Sequence, residues 1–353
     1  MATQAEIVLP GRPFDDTLSF FREKLGFRLD AICPADNPAV ATLSAYGVRI
    51  RLDRTVTGPS PDLFIRTESP DALFDGMAER AAPNGTKIRF ESGNPPLAMP
   101  RLQQAVTVRQ MDDEASWGTG RAGMFYRDLI PGREGGRFIA SHIRIPNGGP
   151  VPDNVHFHKI RFQMIYVYKG WVRLVYEDQG EPFVMEAGSC VLQPPQIRHR
   201  VLESSDGLEV IEIGSPADHM TLLDHDLDLP TGKTDPGRDF SGQRYALHVA
   251  ATATWSEGPL EGFKSREVGI AEATDGLARV AVLRQQTDAL NVTDRHDGEF
   301  LFQFVLEGGV MLALQDRQYA LQAGDSFTLP ADVEYSLSEA SGPLELLRVQ
   351  LPG

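Results

Sequence analysis

The chain has 353 residues, 41% hydrophobic and 24% charged, a balance that excludes disordered and fibrous classes and leaves room for about two or three folded domains. Its 34 basic and 49 acidic residues give a net charge of −15, which disfavours a sequence-independent grip on nucleic acid or on an anionic membrane. Two cysteines, Cys33 and Cys190, are too few for a disulfide framework or a thiolate cluster. With no signal-like N-terminus and no run of about 18 apolar residues, the expected location is the cytoplasm.

In chain order, residues 1–95 read as a small α+β module. The apolar run Ile7-Val8-Leu9 precedes a helical pattern at Leu18, Phe21 and Leu25, which Asp15 or Asp16 would cap and Gly26 would end. Strand-like runs follow at 27–32, 39–44, 48–52 and 63–67. Ser69-Pro70-Asp71 opens a second helix carrying Leu73, Met77 and Ala81, and residues 87–91 form the next strand. Residues 96–123, rich in Pro, Gln and Gly, are expected to be a linker. From 124 to 220 short runs of alternating apolar and polar residues are punctuated by Gly and Pro, as in a β barrel or sandwich. A polar, Asp-rich connector, 221–260, leads to a second stretch of the same texture, 261–353.

The two β stretches superpose as a degenerate repeat. Tyr166-Val167-Tyr168-Lys169-Gly170 matches Phe304-Val305-Leu306-Glu307-Gly308, Ala187-Gly188-Ser189 matches Ala323-Gly324-Asp325, and Leu192-Gln193-Pro194 matches Thr328-Leu329-Pro330. Seventeen residues separate Gly170 from Gly188, and fifteen separate Gly308 from Gly324. Landmarks that match in the same order and at similar spacing argue for two copies of one module.

The candidate chemistry lies in the first copy. His156 and His158 flank Phe157, and on a strand such residues project from one face. Gln163 opens the next strand, and His199 follows the turn that begins at Pro194. Three imidazoles and an amide oxygen suit a divalent first-row metal, and ligand type alone does not choose among iron, copper, nickel and zinc.

These residues resemble the cupin superfamily, whose motifs are G-x5-H-x-H-x(3,4)-E-x6-G and G-x5-P-x-G-x2-H-x3-N. The chain reads His156-x-His158-x4-Gln163-x6-Gly170, then Gly188-x5-Pro194-x-Gln196-x2-His199-x3-Glu203. By that resemblance His156, His158 and His199 are metal ligands, and Gln163 stands at the family's glutamate as a fourth ligand and the candidate catalytic residue. Gly148-Gly149 is slightly out of register, Gln196 replaces a turn glycine, and Glu203 replaces the final asparagine. An amide ligates through oxygen but does not take up a proton at neutral pH, so a glutamate-base mechanism does not transfer. Arg161, Arg198 and Arg200 flank the ligands and are candidate contacts for an anionic substrate. In the second copy Asp294, His296, Leu301 and Tyr335 fall on His156, His158, Gln163 and His199, so that copy is expected to hold no metal.

The N-terminal order of a strand, a helix and three strands, with TLSFFREKLGF and PDALFDGMAERAAPNG as its helices, resembles the vicinal-oxygen-chelate fold. That family's first-strand metal histidine has no counterpart, since residues 1–95 contain no histidine. Packing or dimerisation is its expected role. Cys190 reads as a small buried hydrophobe, and His142, His219, His225 and His248 read as structural or exposed.

The sequence therefore predicts a mainly β protein, two cupin jelly-roll barrels behind a small α+β module. The resemblance implies a metal-dependent oxidoreductase, first a dioxygenase acting on a small enolisable or phenolic compound. Iron is the first choice of metal, with Cu, Ni, Mn and Zn as the others. A metal-dependent isomerase or lyase, and a non-catalytic ligand-binding cupin, are the alternatives. A small-molecule substrate, anionic if the arginines contact it, and a homodimer are expected, with neither nucleic acid nor membrane as partner.

Overall fold

The computed structural model describes residues 3–68, 79–111, 117–120, 123–287 and 289–352, and the chain divides into two units, Met1–Pro96 and Leu97–Gly353. In the first unit, strand Ile7–Pro10 leads to helix Phe14–Ser19, which runs on as a wider π turn, Phe20–Lys24. Strands Arg28–Cys33, Val40–Ala45 and Val48–Asp53 follow. The first strand lies parallel to Val48–Asp53 at one side of this four-stranded sheet. The helix begins after Pro13 with no side-chain cap, so Asp15 and Asp16 sit inside its first turn, where they face the positive end of the helix dipole. Gly26, at φ +69°, ends it as expected.

Phe14, Phe21 and Leu25 turn into one core with Leu43, Ile50 and Ile88. A second sheet pairs Leu63–Thr67 with Lys87–Ser92 in parallel and adds Glu79–Ala81. The helix expected from Ser69 through Met77 lies outside the described residues, and Ala81 belongs to a strand.

The second unit holds two β barrels that share a core. In strand Phe162–Lys169, Phe162, Met164 and Tyr166 face that shared core, whereas Gln163, Ile165 and Val167 face the interior of the first barrel. Phe300, Phe302 and Phe304 of strand Phe300–Leu314 meet them from the second barrel, and Phe138 stacks on Phe300 with ring centroids 4.1 Å apart. Burial on both faces explains why these strands read as nearly continuous apolar runs.

The first barrel closes between two sheets. One contains Phe162–Lys169 beside Leu208–Ser215 and Ile139–Ile145, and the other contains His199–Ser204 between Trp171–Tyr176 and His156–Lys159. The second barrel is a single nine-stranded sheet, curled by register shifts near Glu307 and Gly309, and filled by Leu301, Val305, Leu312, Leu337 and Leu346.

Two expectations are corrected. The stretch read as a linker supplies a strand to each barrel: Thr107–Arg109 pairs with Ser326–Thr328, and Gly118–Thr119 pairs with Phe125–Asp128. The stretch read as a connector carries most of strand Met220–Leu223, which pairs with the histidine strand, and strand Ala246–His248, which pairs with Cys190–Leu192. These are short edge strands, and such strands need not carry the alternating pattern that marks a half-buried one. Among the described residues no helix is long and apolar enough to cross a membrane.

Candidate metal centre

Two neighbouring strands carry the three histidines. His156 and His199 are cross-strand partners, and His158 lies two residues on along the same face as His156. The turn before His199 is fixed by Gln196, which adopts φ +63° and donates its N–H to the carbonyl of His158 at 3.1 Å. Asp332 does the same in the second barrel, with φ +63° and an N–H bond of 2.7 Å to the carbonyl of His296.

The candidate ligand nitrogens of His156, His158 and His199 lie within 4.8 Å of one another, and ring centroids of His156 and His199 are 4.3 Å apart. Each ring is held through Nδ1. His156 Nδ1 bonds the Asn154 carbonyl at 2.7 Å, and His199 Nδ1 bonds the Ile197 carbonyl at 3.0 Å. A carbonyl only accepts, so both rings carry their proton on Nδ1 and offer the Nε2 lone pair. His158 Nδ1 bonds Thr221 Oγ1 at 2.9 Å. Orientation of this kind is what metal-binding imidazoles need. The residues present therefore fit a divalent first-row metal.

The histidines form one wall of a cavity of about 430 Å³ inside the barrel. Ile143, Ile165, Val172, Leu174, Val201 and Val210 make much of its lining apolar. The opposite sheet brings Gln163 and Glu212 to the same space, and Gln163 Nε2 donates to Glu212 Oε1 at 2.6 Å. A carboxylate accepts but does not donate, so the pair fixes the amide orientation. Gln163 is 2% exposed, and its Oε1 has no hydrogen-bond partner among the described residues. It is a buried acceptor suited to a metal or a substrate hydroxyl. His219 also lines the cavity, its ring centroid 5.3 Å from that of His158 and its Nδ1 bonded to the Pro216 carbonyl at 3.0 Å.

The three arginines are not brought to this cavity. Arg161, in the loop before Gln163, pairs with Glu299 of the second barrel at 2.9 Å. Arg198 pairs with Asp224 at 3.1 Å and lies over the Phe157 ring at 4.1 Å. Arg200 is exposed, because alternation turns it outward when its neighbour His199 points in. No Lys or Arg lines the cavity among the described residues, so the electrostatic case for an anionic substrate is absent from its wall. Cys190 is buried in the core shared by the barrels, and burial pushes its thiol well up, which leaves it unreactive.

In the second barrel Asp294 and Tyr335 are cross-strand partners, as His156 and His199 are in the first. Tyr335 Oη donates to Asp294 Oδ2 at 2.7 Å, Arg348 Nη1 reaches the same oxygen at 2.8 Å, and Gln303 Nε2 donates to Tyr335 Oη at 2.6 Å. His296 is spent on a 2.8 Å bond from its Nε2 to the Leu329 carbonyl.

Sequence reasoning passed over Glu212 and Thr221, and its reading of His219 as structural or exposed is corrected, since His219 lines the cavity. Glu212 is one of two glutamates on strand Leu208–Ser215, with Glu209, and which of them faces the cavity depends on strand register. His219 and Thr221 had no visible signal, because the edge strand beside them lacks alternation.

Residues 284–349, in the second barrel, match the cupin domain family. No curated protein sequence matches the chain. Among solved structures, salicylate 1,2-dioxygenase from Pseudaminobacter salicylatoxidans is similar at 17% identity and a TM-score of 0.52, over 74% of this chain and 88% of that one. A variant of that enzyme in complex with gentisate is similar at 17% identity and a TM-score of 0.50, over 71% and 83%. Ylba from E. coli gives 9% identity and a TM-score of 0.51, over 73% and 94%. Identities this low speak to fold alone, and with the topology above they make the chain a mainly β protein of two cupin jelly-roll barrels preceded by a small α+β module.

Proposed function

We propose that the first barrel is a metal-dependent enzyme centre, and that the protein is a dioxygenase of a small enolisable or phenolic compound. The observation that carries this reading is the cluster His156, His158 and His199, with ring orientation set by backbone and hydroxyl bonds, on the wall of a largely apolar cavity. His156, His158 and His199 would hold the metal, and Gln163 Oε1 would ligate it or receive a substrate hydroxyl. Iron is the metal the reading favours, with copper, nickel, manganese and zinc as the other candidates. A bound iron or copper would supply a redox-active Lewis acid for oxygen substrates.

The chain's own residues supply the rest. Tyr176 stacks on His199 at 5.5 Å between centroids and backs that ring. The apolar lining excludes water and grips the body of the substrate. Gln163 steadies Glu212, so a substrate hydroxyl meets a fixed acceptor on the wall opposite the histidines. The similarity to salicylate 1,2-dioxygenase supports a cupin scaffold for such chemistry by analogy of fold. Both cysteines are free thiols, in keeping with a cytoplasmic enzyme.

The test is elemental analysis of the purified protein, followed by an oxygen-electrode screen of diketones, catechols and hydroxyaromatics. Oxygen uptake by the metal-loaded protein is expected. Equal turnover under anaerobic conditions would move the assignment to the isomerase or lyase class.

A further inference from the structure

The cavity has an asymmetry that its metal-binding wall does not explain. Among the described residues its apolar sleeve is interrupted on the side facing the histidines by one carboxylate, Glu212. That carboxylate is not neutralised by a cation within the cavity, since no Lys or Arg lines it among the described residues. Glu212 Oε1 instead accepts from the neutral amide of Gln163 at 2.6 Å. Ile165 and Ser141, its cross-strand neighbours, carry no charge. Gln163 Oε1 beside it is a second acceptor, buried and without a hydrogen-bond partner among the described residues. The wall opposite the histidines therefore presents acceptors to the cavity.

We propose that this wall selects the substrate class: an uncharged molecule with an apolar body and one or two hydroxyl hydrogens, a phenol or an enol, with carboxylates rejected. The proposal rests on the metal-enzyme reading above and adds to it the discrimination made by Glu212. A substrate hydroxyl donates to Glu212 or to Gln163 Oε1, which satisfies acceptors that otherwise stay buried and unpaired. A substrate carboxylate donates nothing and sets a second negative charge in an apolar cavity beside the first, where screening is weak.

Glu212 also changes the charge of the centre. Three neutral imidazoles and a neutral amide would leave a divalent ion at its full charge, which invites anions, whereas one nearby carboxylate lowers the net charge to +1. The demand for an anionic ligand, and for arginines to recruit it, falls accordingly. The solved relative in complex with gentisate binds a carboxylate. The present cavity is built for a different class.

The experiment uses the metal-loaded full chain and calorimetric titration with two probes that share one tail, 4-propylcatechol and 4-propylbenzoate. The expected result is at least about tenfold tighter binding of the catechol, and a loss of most of that preference in Glu212→Gln with metal content unchanged. Gln163→Leu, which removes the partner that steadies Glu212, should also narrow the ratio, and it keeps the test decisive if Glu212→Gln fails to fold. Equal binding of the two probes by the native protein would overturn the proposal, as would an unchanged ratio in both variants. Loss of metal from Glu212→Gln would overturn it too, by making Glu212 part of the metal site. Because the readout is binding, a protein that keeps the preference but consumes no oxygen contradicts the dioxygenase reading and leaves this inference standing.

Discussion

Arg348 stands in the second barrel where Glu212 stands in the first. Glu212 is the cross-strand partner of Ile165, two residues beyond Gln163, and Arg348 is the partner of Gln303, two residues beyond Leu301. The repeat makes Leu301 the counterpart of Gln163, so one strand position is a carboxylate on the wall facing the histidine cluster in the first copy and a guanidinium in the second. In the second barrel the guanidinium is the internal cation: it sits on Asp294 at 2.8 Å and on Tyr335 Oη at 3.2 Å, 5% exposed.

The first prediction follows from that pair. Arg348→Met leaves Asp294 with its charge largely buried and its cation gone, and should cost about 2–4 kcal/mol in denaturant unfolding. Adding Asp294→Leu should recover most of the loss, because the pair is then replaced by apolar groups among Leu301, Val292 and Leu337. If the two losses simply add, Arg348 is not the counter-ion of Asp294.

A second prediction concerns the turn that delivers His199. Gln196 holds φ +63°, a left-handed conformation that costs a side-chain-bearing residue about 1–2 kcal/mol relative to helical φ and costs glycine little. Gln196→Gly should raise stability by about 0.5 kcal/mol, after the greater chain entropy that glycine loses on folding, and should leave metal content unchanged. A thermal melt that shows a loss instead would mean the Gln196 side chain does work that its exposed position does not reveal.

The third prediction is a pH dependence at the junction of the barrels. Burial pushes the Glu134 carboxyl up to about 7 from 4.5, against the pull of a 3.0 Å bond from the Thr328 hydroxyl and with help from the charge of Glu299. An acid raised by folding keeps its proton in the native state while the unfolded chain gives it up. Its contribution is therefore intact below about pH 4.5 and is lost as pH rises to about 7. Glu134→Gln should stabilise the protein at pH 8 by up to about 3 kcal/mol relative to the native chain and change little at pH 4.5. Equal effects at the two pH values would contradict the assignment.

How much of this was legible in the sequence depends on which face a residue takes. His156 and His158 declare themselves by their spacing of two, and His199 by its place in a repeat whose glycines need positive φ, as Gly170 and Gly308 do at +75° and +74°. The expectation that the second copy holds no metal rested on Leu301 and Tyr335, which stand where the first copy has Gln163 and His199. The arginines misled because neighbours in sequence are not neighbours in a barrel: Arg161 reaches across to Glu299, more than a hundred positions away in the chain. Glu212 stayed hidden because its barrel face depends on strand register, and a slip of one residue would have turned it into the shared core. The short pairings of Thr107–Arg109 and Met220–Leu223 arise from tertiary contact alone, with no period for a sequence to display.

The central claim is that the three histidines of the first barrel hold one metal ion and that the second barrel holds none. Metal-to-protein stoichiometry, measured by elemental analysis on the native chain and on His199→Ala, tests it most directly. About one ion per chain in the native protein and none in the variant is the predicted result. A fully loaded His199→Ala protein, or two ions per native chain, would contradict it.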